Sequence, residues 1–469
     1  MIVFPSCFKI KHIVEKSFIM KLKKEYPLLF TKYFFLMLLR RNQKQEKESL
    51  KGADDMLRLL ILADDFTGAL DSGVQLAQCG AHTHVTTNLD VSFDAWKDDA
   101  RDSVVVVDTE SRHIDPRRAF EIVRDIAGRA VKSGVPVIYK KTDSALRGNI
   151  GAELEGALAG SGAKRLLFVP AYPKLKRLTI EGIQYIDGVP VNESVFGRDP
   201  FDPVRESSVA KIIGLQSTLP VVSVAEGAPI SVTAERREIL VFDASSDEAC
   251  AAIAKQLGEI RETTVLAGCA GFAGHLPQLL GLRRPLPPVT LEAQGLLVVS
   301  GSLNPITTAQ LEYARSSGFD AYRLTSSQMQ EGIPAGPEGD RILDDIATLY
   351  GRNKRLLLYG APPEEGVGSA ALEEKSRAVA GLLGELVRQL YRRGLRGVFA
   401  VTGGDILSGV LAHMKCSRMR PLCEIESGVV LSRAILPEGD VMIVSKSGGM
   451  GSREVFVNVA DFIERHRAS

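Results

Sequence analysis

Residues 57–69 read LRLLILADDFTGA, and this stretch decides the fold class that we predict. Leu57–Ala63 is a short, almost continuous apolar run, which is typical of a strand buried on both faces of a parallel sheet. Two carboxylates, Asp64 and Asp65, follow it at once, and Thr67 is suited to begin a helix. Because ligands of such sheets bind at the carboxyl ends of the strands, we expect function at Asp65.

The same pattern of an apolar run followed by a helical segment recurs along the chain. We predict further strands at Val104–Asp108, Val135–Lys140, Leu166–Val169, Ile239–Phe242, Val265–Ala267, Leu296–Ser300, Arg355–Tyr359, Val398–Val401 and Val441–Ser445. We predict helices at Pro116–Ser133, Gly151–Ala159 and Val455–His466. The alternation predicts an α/β protein of two domains, each a mostly parallel sheet flanked by helices, with the active site in the interdomain cleft.

A proline-rich segment marks the expected domain boundary. Residues 281–295, GLRRPLPPVTLEAQG, contain three prolines and no apolar period, which indicates a linker. It would separate an N-terminal domain of residues 56–280 from a C-terminal domain of residues 296–469. Residues 1–55 carry twelve Lys or Arg against six Asp or Glu. We interpret them as a poorly ordered extension or the result of a mis-assigned start codon.

The composition argues against several classes of protein. The net charge of +1 over 469 residues gives no electrostatic case for nucleic-acid binding. The six cysteines are scattered without a CxxC pair, as expected of free thiols in a reducing compartment. The apolar stretch at residues 26–39 has 14 residues, fewer than the roughly 20 that span a membrane. We expect a cytoplasmic protein without a membrane span. The sequence is compatible with either a monomer or a homo-oligomer.

Polar residues concentrate directly after the strands of the first domain. The carboxylate of Asp65 could hold a hydroxyl group or take its proton. Arg112 follows the second of these strands and is suited to bind a carboxylate in bidentate fashion. The densest cluster is residues 140–151, KKTDSALRGNIG, where cations, small residues and the start of a helix come together. That combination predicts an anion site.

Three glycine- or serine-containing loops follow strands of the second domain, at residues 300–302, 402–405 and 446–451. Glycines let backbone N–H groups approach phosphate closely, and Lys446 would add a positive charge. The sequence contains no GxxxxGK[ST], which excludes a Walker-type loop. The GCAGFAG of residues 268–274 lacks the spacing of a dinucleotide fingerprint, and we interpret it as helix–strand packing.

Several longer motifs occur together in one order: ADDFTGALDSG (63–73), KKTDSALRGNIGAEL (140–154), FGRDPFDPV (196–204), SGSLNPITTAQ (300–310), TGGDILSG (402–409) and SKSGGMG (445–451). With them the chain resembles the four-carbon acid sugar kinase family over residues 57–465. The resemblance implies an N-terminal domain that binds threonate, erythronate or 3-oxo-tetronate and a C-terminal domain that binds ATP. Ala145 and Ile406 depart from it, since the family commonly has Thr at both positions.

The residues and the resemblance together give the predicted site. Substrate binding is assigned to Asp65, Arg112, Lys141, Thr142, Asp143, Ser144, Arg147 and Asn149. Nucleotide binding is assigned to Ser300, Ser302, Gly403, Gly404, Asp405, Lys446, Gly448 and Gly449. The candidate catalytic residues are Asp65, Asp143 and Arg147, with ATP and Mg²⁺ as the expected cofactors.

The predicted function is ATP-dependent phosphorylation of a hydroxyl of a four-carbon sugar acid. Arg112 and Arg147 would hold the substrate carboxylate or the incoming phosphate, and Asp65 or Asp143 would orient the acceptor hydroxyl. The alternatives are a kinase of another small polyol or hydroxy acid, a non-catalytic two-lobe sugar-acid-binding protein, and a nicotinamide-dependent dehydrogenase. The last requires a GxGxxG after the first strand, where the sequence has ADDFTGA.

Overall fold

The computed structural model describes residues 57–93, 103–199, 202–230, 236–258, 264–282, 289–292, 295–301, 304–360 and 369–468. The expectations for residues 1–55, for Ser302 and for most of the linker lie outside these ranges. Where the linker is described, Leu291 is buried and its N–H donates to the carbonyl of His466 at 2.8 Å. This part of the linker therefore packs against the end of the chain.

Alternation of strands and helices runs through both halves of the described chain. The strands of the first half, called here the N-terminal lobe, are β1 Leu57–Ala63, β2 His82–Thr86, β3 Ser103–Asp108, β4 Val137–Lys141, β5 Arg165–Val169, β6 Arg177–Ile180, β7 Ile183–Ile186, β8 Val189–Pro190, β9 Val221–Val224, β10 Glu238–Phe242 and β11 Thr264–Gly268. Those of the second half, the C-terminal lobe, are β12 Leu296–Ser300, β13 Asp320–Leu324, β14 Arg355–Gly360, β15 Val398–Thr402, β16 Arg418–Glu426, β17 Val429–Ile435 and β18 Val441–Lys446. Every predicted strand is confirmed, with ends that differ by at most two residues.

Helices connect most of these strands. They are α1 Phe66–Ala77, α2 Pro116–Lys132, α3 Ile150–Ser161, α4 Val209–Gly214, α5 Asp247–Leu257, α6 Ala270–Ala273, α7 Leu276–Leu279, α8 Pro305–Ser316, α9 Ser326–Glu331, α10 Pro337–Asn353, α11 Ser369–Arg392, α12 Gly404–His413 and α13 Val455–Arg465. The three predicted helices correspond to α2, α3 and α13. The glycine-rich residues 268–274 form the end of β11 and α6. A Cβ on Gly268 would lie 3.1 Å from Phe272 Cβ of α6, which confirms the interpretation as helix–strand packing.

The two lobes share one sheet. Its order in the described chain is β13-β14-β12-β15-β18-β17-β16-β2-β3-β1-β4-β11-β5-β10-β9. Strands of the N-terminal lobe in this sheet are all parallel, and β17 and β16 are antiparallel additions to the parallel strands of the C-terminal lobe. The lobes meet where β16 pairs with β2, at Met419 and Val85. The expected mostly parallel sheets are confirmed, but they are joined edge to edge.

Both faces of the sheet are covered, as the continuous apolar runs predict. Leu59 and Ile61 of β1 belong to one hydrophobic cluster, and Leu60 and Leu62 belong to another. Each strand therefore presents alternate residues to helices on opposite sides.

Strand register brings the polar strand ends of each lobe to one level. In the N-terminal lobe, Ala63 at the end of β1 lies opposite Asp108 of β3 and Lys141 of β4. In the C-terminal lobe, Thr402 at the end of β15 lies opposite Ser300 of β12 and Lys446 of β18. β1 leads to β2 on one side of it, while its neighbour β4 leads to β5 on the other side. Likewise β12 leads to β13, while its neighbour β15 leads to β16 on the other side. Adjacent strand ends of this kind are topological switch points.

Candidate functional site

The pair of aspartates after β1 is tied to Arg112, which follows β3. Arg112 Nε donates to Asp64 Oδ2 at 2.7 Å, and its Nη2 lies 2.8 Å from Asp65 Oδ1. Asp65 also caps α1 by accepting from Gly68 N at 3.2 Å, while Thr67 Oγ1 donates to Asp65 Oδ2 at 2.7 Å. The helix cap is thus Asp65, and the prediction that Thr67 would start the helix is wrong by two residues.

Lys141 adds a second cation from the neighbouring strand β4. Its Nζ lies 3.2 Å from Asp64 Oδ1 and 3.0 Å from Asp65 Oδ1. Burial alone would raise the pKa of Asp65, but Arg112 and Lys141 outweigh it and hold that pKa below its ordinary value. In turn, burial would lower the pKa of Lys141, but Asp64 and Asp65 raise it. All these groups therefore stay charged at neutral pH.

A second acidic–basic group follows β4. Arg147 Nε and Nη2 each lie 3.0 Å from a carboxylate oxygen of Asp143, and Arg147 Nη1 lies 2.9 Å from Asp199 Oδ2. Arg112 connects the two groups, since its Nη2 is 3.7 Å from Asp143 Oδ1. Burial would raise the pKa of Asp143, but Arg147 and Arg112 hold it well below its ordinary value. Asp65, Arg112, Lys141, Asp143 and Arg147 thus form one connected network.

Three other predicted substrate residues lie beside this network. Ser144 Oγ receives a hydrogen bond from Arg177 of β6. Thr142 is fully buried at the end of β4, and its N–H donates to the carbonyl of Gly268 at 2.8 Å. Asn149 is also buried, and its Nδ2 donates to the carbonyls of Ser111 and Ile114 at 2.8 Å each. The amide of Asn149 therefore holds the loop after β3 in place.

Lys140 is directed away from Lys141, as alternation along a strand requires. Its Nζ lies 3.1 Å from Glu153 Oε2 of α3, with both side chains almost completely buried. Ser111 Oγ donates to the other Glu153 oxygen. This pair links β4, α3 and the loop after β3 beneath the network.

The two residues that depart from the family pattern, Ala145 and Ile406, both lie in the hydrophobic core. Ala145, which replaces a common Thr, is fully buried in the hydrophobic cluster that includes Leu146 and Ile150. Ile406 is buried on α12 in the cluster of the other face.

The C-terminal lobe presents two loops at the level of its strand ends. Thr402 Oγ1 donates to Ser300 Oγ at 2.9 Å, which joins β15 to β12. Gly403 follows with φ +93°, and Gly404 begins α12. A positive φ suits glycine, and the helix start directs free N–H groups outward. Asp405 is exposed and accepts a hydrogen bond from Ser376 Oγ at 3.0 Å.

Lys446 organises the other loop, residues 447–451. Its buried Nζ donates to the carbonyls of Ser447 and Gly448 at 3.0 Å and of Met450 at 3.1 Å. Burial lowers the pKa of Lys446 to about 8. The ammonium group is thus directed at its own loop, and Gly449 stands exposed at the tip.

Two residues of α8 hold the same loop and were not predicted. Gln310 Nε2 lies within 2.9–3.1 Å of the carbonyls of Met450, Gly451 and Ser452. Thr307 Oγ1 donates to the carbonyl of Gly448 at 2.8 Å. Both side chains are buried. Their spacing of three residues, with polar side chains on one helix face, is the sequence signal that could have identified them.

The polar loops of the two lobes approach each other. A Cβ placed on Gly404 would lie 3.6 Å from Thr67 Cγ2 and 3.9 Å from Thr67 Oγ1. His113 lies beside Arg112, and its pKa is raised by the hydrogen bond to Asp202 and by the more distant charge of Asp405 in the other lobe. The end of β1 and the start of α12 therefore face the same space.

Other residues of the network also escaped prediction from sequence. Asp64 is more buried than Asp65 and binds both Arg112 and Lys141. Arg177 contacts Ser144 in the stretch that follows β4. An acidic pair predicts a site, but the sequence alone does not say which partner each oxygen takes. Within the described ranges, no group of three or more His, Cys, Asp or Glu side chains is arranged to hold a metal ion.

Comparisons with known proteins divide the chain in the same way as the two lobes. Residues 59–276 match a family model described as a sugar-binding N-terminal domain, and residues 297–456 match a nucleotide-binding C-terminal domain. The helices of the described residues include none long and apolar enough to cross a membrane.

Curated relatives extend over nearly the whole described chain. A D-threonate kinase of Salmonella typhimurium is 30% identical over 437 residues, which cover 87% of this chain and 99% of the relative. A D-erythronate kinase of Heliobacterium modesticaldum is 30% identical, with 87% and 97% covered. A 3-oxo-tetronate kinase of Methylobacterium radiotolerans is 26% identical, with 87% and 99% covered.

Solved structures support the fold. A Haemophilus influenzae protein of the DUF1537 family matches with a TM-score of 0.64 at 20% identity, covering 86% of this chain and all of that one. A Salmonella typhimurium protein matches with a TM-score of 0.69 at 19% identity, covering 86% and 99%.

Proposed function

Because this chain belongs to the four-carbon acid sugar kinase family, we propose that it transfers the γ-phosphoryl group of ATP to a hydroxyl of threonate, erythronate or 3-oxo-tetronate. These are the acids named for its relatives. We further propose that the domains are residues 56–280 and 296–469, joined by residues 281–295.

One observation carries the proposal. The charged network at the ends of β1, β3 and β4 faces the glycine-containing start of α12, with Gly404 close to Thr67. Kinases must bring an acceptor hydroxyl and a phosphate together in a space that excludes water. An acidic and basic network on one side and helix N–H groups on the other have the chemistry of these two partners.

The substrate side would consist of the residues predicted from sequence. Asp65 and Asp143 would orient the acceptor hydroxyl, while Arg112 and Arg147 would face the anionic groups of the sugar acid and the transferred phosphoryl group. Lys141 and residues 142–144 would complete this side, with Asn149 shaping the loop. Because Asp65 and Asp143 are held ionised, each can accept a hydrogen bond from the acceptor hydroxyl before the phosphoryl group is transferred.

The nucleotide side would consist of Ser300, Ser302, residues 403–405 and the loop that Lys446 organises, including Gly448 and Gly449. Backbone N–H groups would hold the phosphates, and the charge of Lys446 would act through the loop. Mg²⁺ typically keeps several waters and is held by substrate phosphates with one or two carboxylates. Asp65, with 24% of its side chain exposed, offers such an oxygen.

The proposed reaction forms one bond and breaks one. The acceptor oxygen attacks the γ-phosphorus, the bond from that phosphorus to the β–γ bridging oxygen breaks, and ADP leaves with the electron pair. The hydroxyl proton passes to Asp65 or Asp143 and then to solvent. Since the transition state of phosphoryl transfer is loose, late transfer to a weakly basic carboxylate suits it.

A coupled assay of ADP release with the three acids tests the proposal. The wild-type protein should release ADP only when an acid is present, and Asp65→Asn should lower kcat/KM by about 10³-fold. Asp125→Asn, on an exposed turn of α2, should behave as wild type. Turnover of neutral polyols but of none of the acids would overturn the substrate class, and no ATP-dependent turnover of either would favour a binding protein.

A further inference from the structure

Arg177 lies at the edge of the charged network, where the hairpin β6–β7 begins. It donates to Ser144 Oγ, and its guanidinium carbon lies 5.2 Å from the centre of the Phe196 ring. Arg147 also lies against that ring, 5.1 Å from its centre. Phe196 thus contacts two guanidinium groups, which is a favourable arrangement for cations over an aromatic face.

The hairpin fixes the position of Ser144 relative to Arg177. Gln184 Nε2 of β7 donates to the carbonyl of Ser144 at 3.1 Å, and Thr179 Oγ1 of β6 donates to Gln184 Oε1 at 2.8 Å. Thr179 and Gln184 are fully buried. Arg177 therefore belongs to a rigid hairpin that is hydrogen-bonded to the loop after β4.

The ion pairs of the network contain more carboxylates than cations. Each of three cations, Arg112, Lys141 and Arg147, is paired with carboxylates at 3.2 Å or less. The carboxylates of these pairs are four: Asp64, Asp65, Asp143 and Asp199. The paired groups alone carry an excess negative charge, so a cation outside these pairs is better placed to bind the carboxylate of a substrate.

Arg177 differs from these three cations. Within the described part of the chain, its contacts are a neutral hydroxyl and an aromatic ring, and no carboxylate pairs with it. Its side chain is partly buried, and a partly buried guanidinium gains most from a carboxylate that fits its planar, two-pronged geometry.

We propose that Arg177, together with Ser144, binds the carboxylate of the sugar acid and so makes the enzyme select acids over neutral sugars. The inference rests on the proposed function and adds to it the residue that recognises the carboxylate of the substrate. Arg112 and Arg147 then serve to hold the aspartates in place and to face the transferred phosphoryl group. The acceptor hydroxyl points toward Asp65 and Asp143, away from Arg177.

The experiment compares each acid with its own carboxamide, which has the same shape and hydroxyls but no charge. Isothermal titration with threonate and threonamide, then erythronate and erythronamide, measures the preference for the acid as a ratio of Kd values. The wild-type protein should prefer the acid by on the order of 100-fold. Arg177→Gln should bind acid and amide within about threefold of each other.

Two further variants separate charge from structure. Arg177→Lys keeps the charge but loses the two-pronged fork, so it should show an intermediate preference for the acid. Lys174→Gln removes an exposed cation three residues before Arg177 and should keep the full wild-type preference. The Kd for ATP should stay at the wild-type value in Arg177→Gln, which a general loss of structure would change.

The inference and the proposed function can fail separately. If the wild-type protein phosphorylates an acid and Arg177→Gln keeps its preference for the acid over the amide, the inference is wrong and the function stands. If the acid preference disappears in Arg177→Gln but no ATP-dependent turnover occurs, the subsite stands and the proposed function is wrong. Wild-type binding that does not distinguish acid from amide contradicts the inference directly.

Discussion

Asp64 illustrates how single residues hold the site together. Its side chain is 2% exposed, and its two oxygens bind Arg112 Nε and Lys141 Nζ. Burying a carboxylate is unfavourable unless cations and hydrogen bonds compensate for the lost water. Arg112 and Lys141 supply this compensation and at the same time hold Asp65, so the most buried carboxylate positions the one that is more accessible.

Arg112→Met should test this dependence. The substitution leaves Asp64 with Lys141 alone and should lower the free energy of unfolding by about 3–5 kcal/mol, measured by urea denaturation. Arg118→Met removes an arginine on α2 whose side chain is 63% exposed, and it should change the free energy by less than about 0.5 kcal/mol. Equal effects of the two substitutions would show that the network contributes no particular stability.

Gly68 is required by a close approach of side chains. A Cβ at this position would lie 2.0 Å from Lys141 Nζ and 2.4 Å from Asp65 Oδ1. Gly68→Ala should therefore displace the ammonium group and lower kcat/KM by roughly 10- to 100-fold, because a misplaced catalytic group reduces the rate strongly. Gly214→Ala, where a Cβ meets nothing within 4 Å, should leave kcat/KM unchanged. Full activity of Gly68→Ala would mean that Lys141 is not needed at this place.

Asp71, one turn further along α1, gives a pH-dependent stability. Burial raises its pKa to about 7, with Asp65 and Glu424 adding to the shift and Lys141 opposing it. The folded state therefore holds this proton more tightly than the unfolded state, whose carboxyl has a pKa near 3.8. Stability from the neutral form is complete below about pH 4 and is lost as pH rises through about 7.

Asp71→Asn should remove this pH dependence. We expect its Tm to exceed that of the wild type by about 2–4 °C at pH 8 and to match it at pH 4, as measured by calorimetry. An equal difference between the two proteins at both pH values would indicate that the titration of Asp71 does not contribute.

At the scale of elements, α8 supports a loop at the end of β18. Gln310 Nε2 and Lys446 Nζ both donate to carbonyls of residues 447–452. The N–H groups of Met450 and Ser452 are bonded to Ser447 and Glu426, so Gly448 and Gly449 are the residues whose N–H groups we expect to reach a ligand. Such N–H groups can hold a phosphate, so we propose that α8 supports the nucleotide side through this loop.

Gln310→Leu keeps the size of the side chain and removes its donors. The KM for ATP should rise by about tenfold or more, while the KM for the sugar acid stays the same. Asn353→Leu removes a similar amide-to-carbonyl bond at the end of α10 and should change neither constant. A rise in both constants for Gln310→Leu would place the effect in the fold rather than in the loop.

The sequence predicts local features of these elements better than contacts between residues that are far apart along the chain. Apolar runs define single strands, so β1, β3 and β4 were predicted almost to their ends. The position of Arg112 and Lys141 near Asp65 follows from parallel strands alone. The parallel strand arrangement does not, however, determine which side chains from distant parts of the sequence pair with each other. Asn149 was assigned to substrate, but its amide binds the loop after β3.

At the scale of the whole molecule, two parallel sheets become one through β16 and β2. This junction was not predicted, because β2 is polar and short and β16 carries charged residues at four of its nine positions. Pairing of two edge strands depends on backbone groups, which leave little trace in the sequence. Its effect is to place the strand ends of both lobes on one continuous scaffold, with α1 and α12 in contact where Thr67 meets Gly404.

The central claim is that groups from both lobes transfer a phosphoryl group from ATP to a four-carbon sugar acid. Phosphorus-31 NMR of ATP and Mg²⁺ with D-threonate, D-erythronate or 3-oxo-tetronate tests it most directly. With at least one acid, a phosphomonoester signal should grow in equal amount with ADP, and Asp65→Asn should slow its growth by about 10³-fold. ATP that stays intact with all three acids, or that yields only inorganic phosphate, would contradict the account.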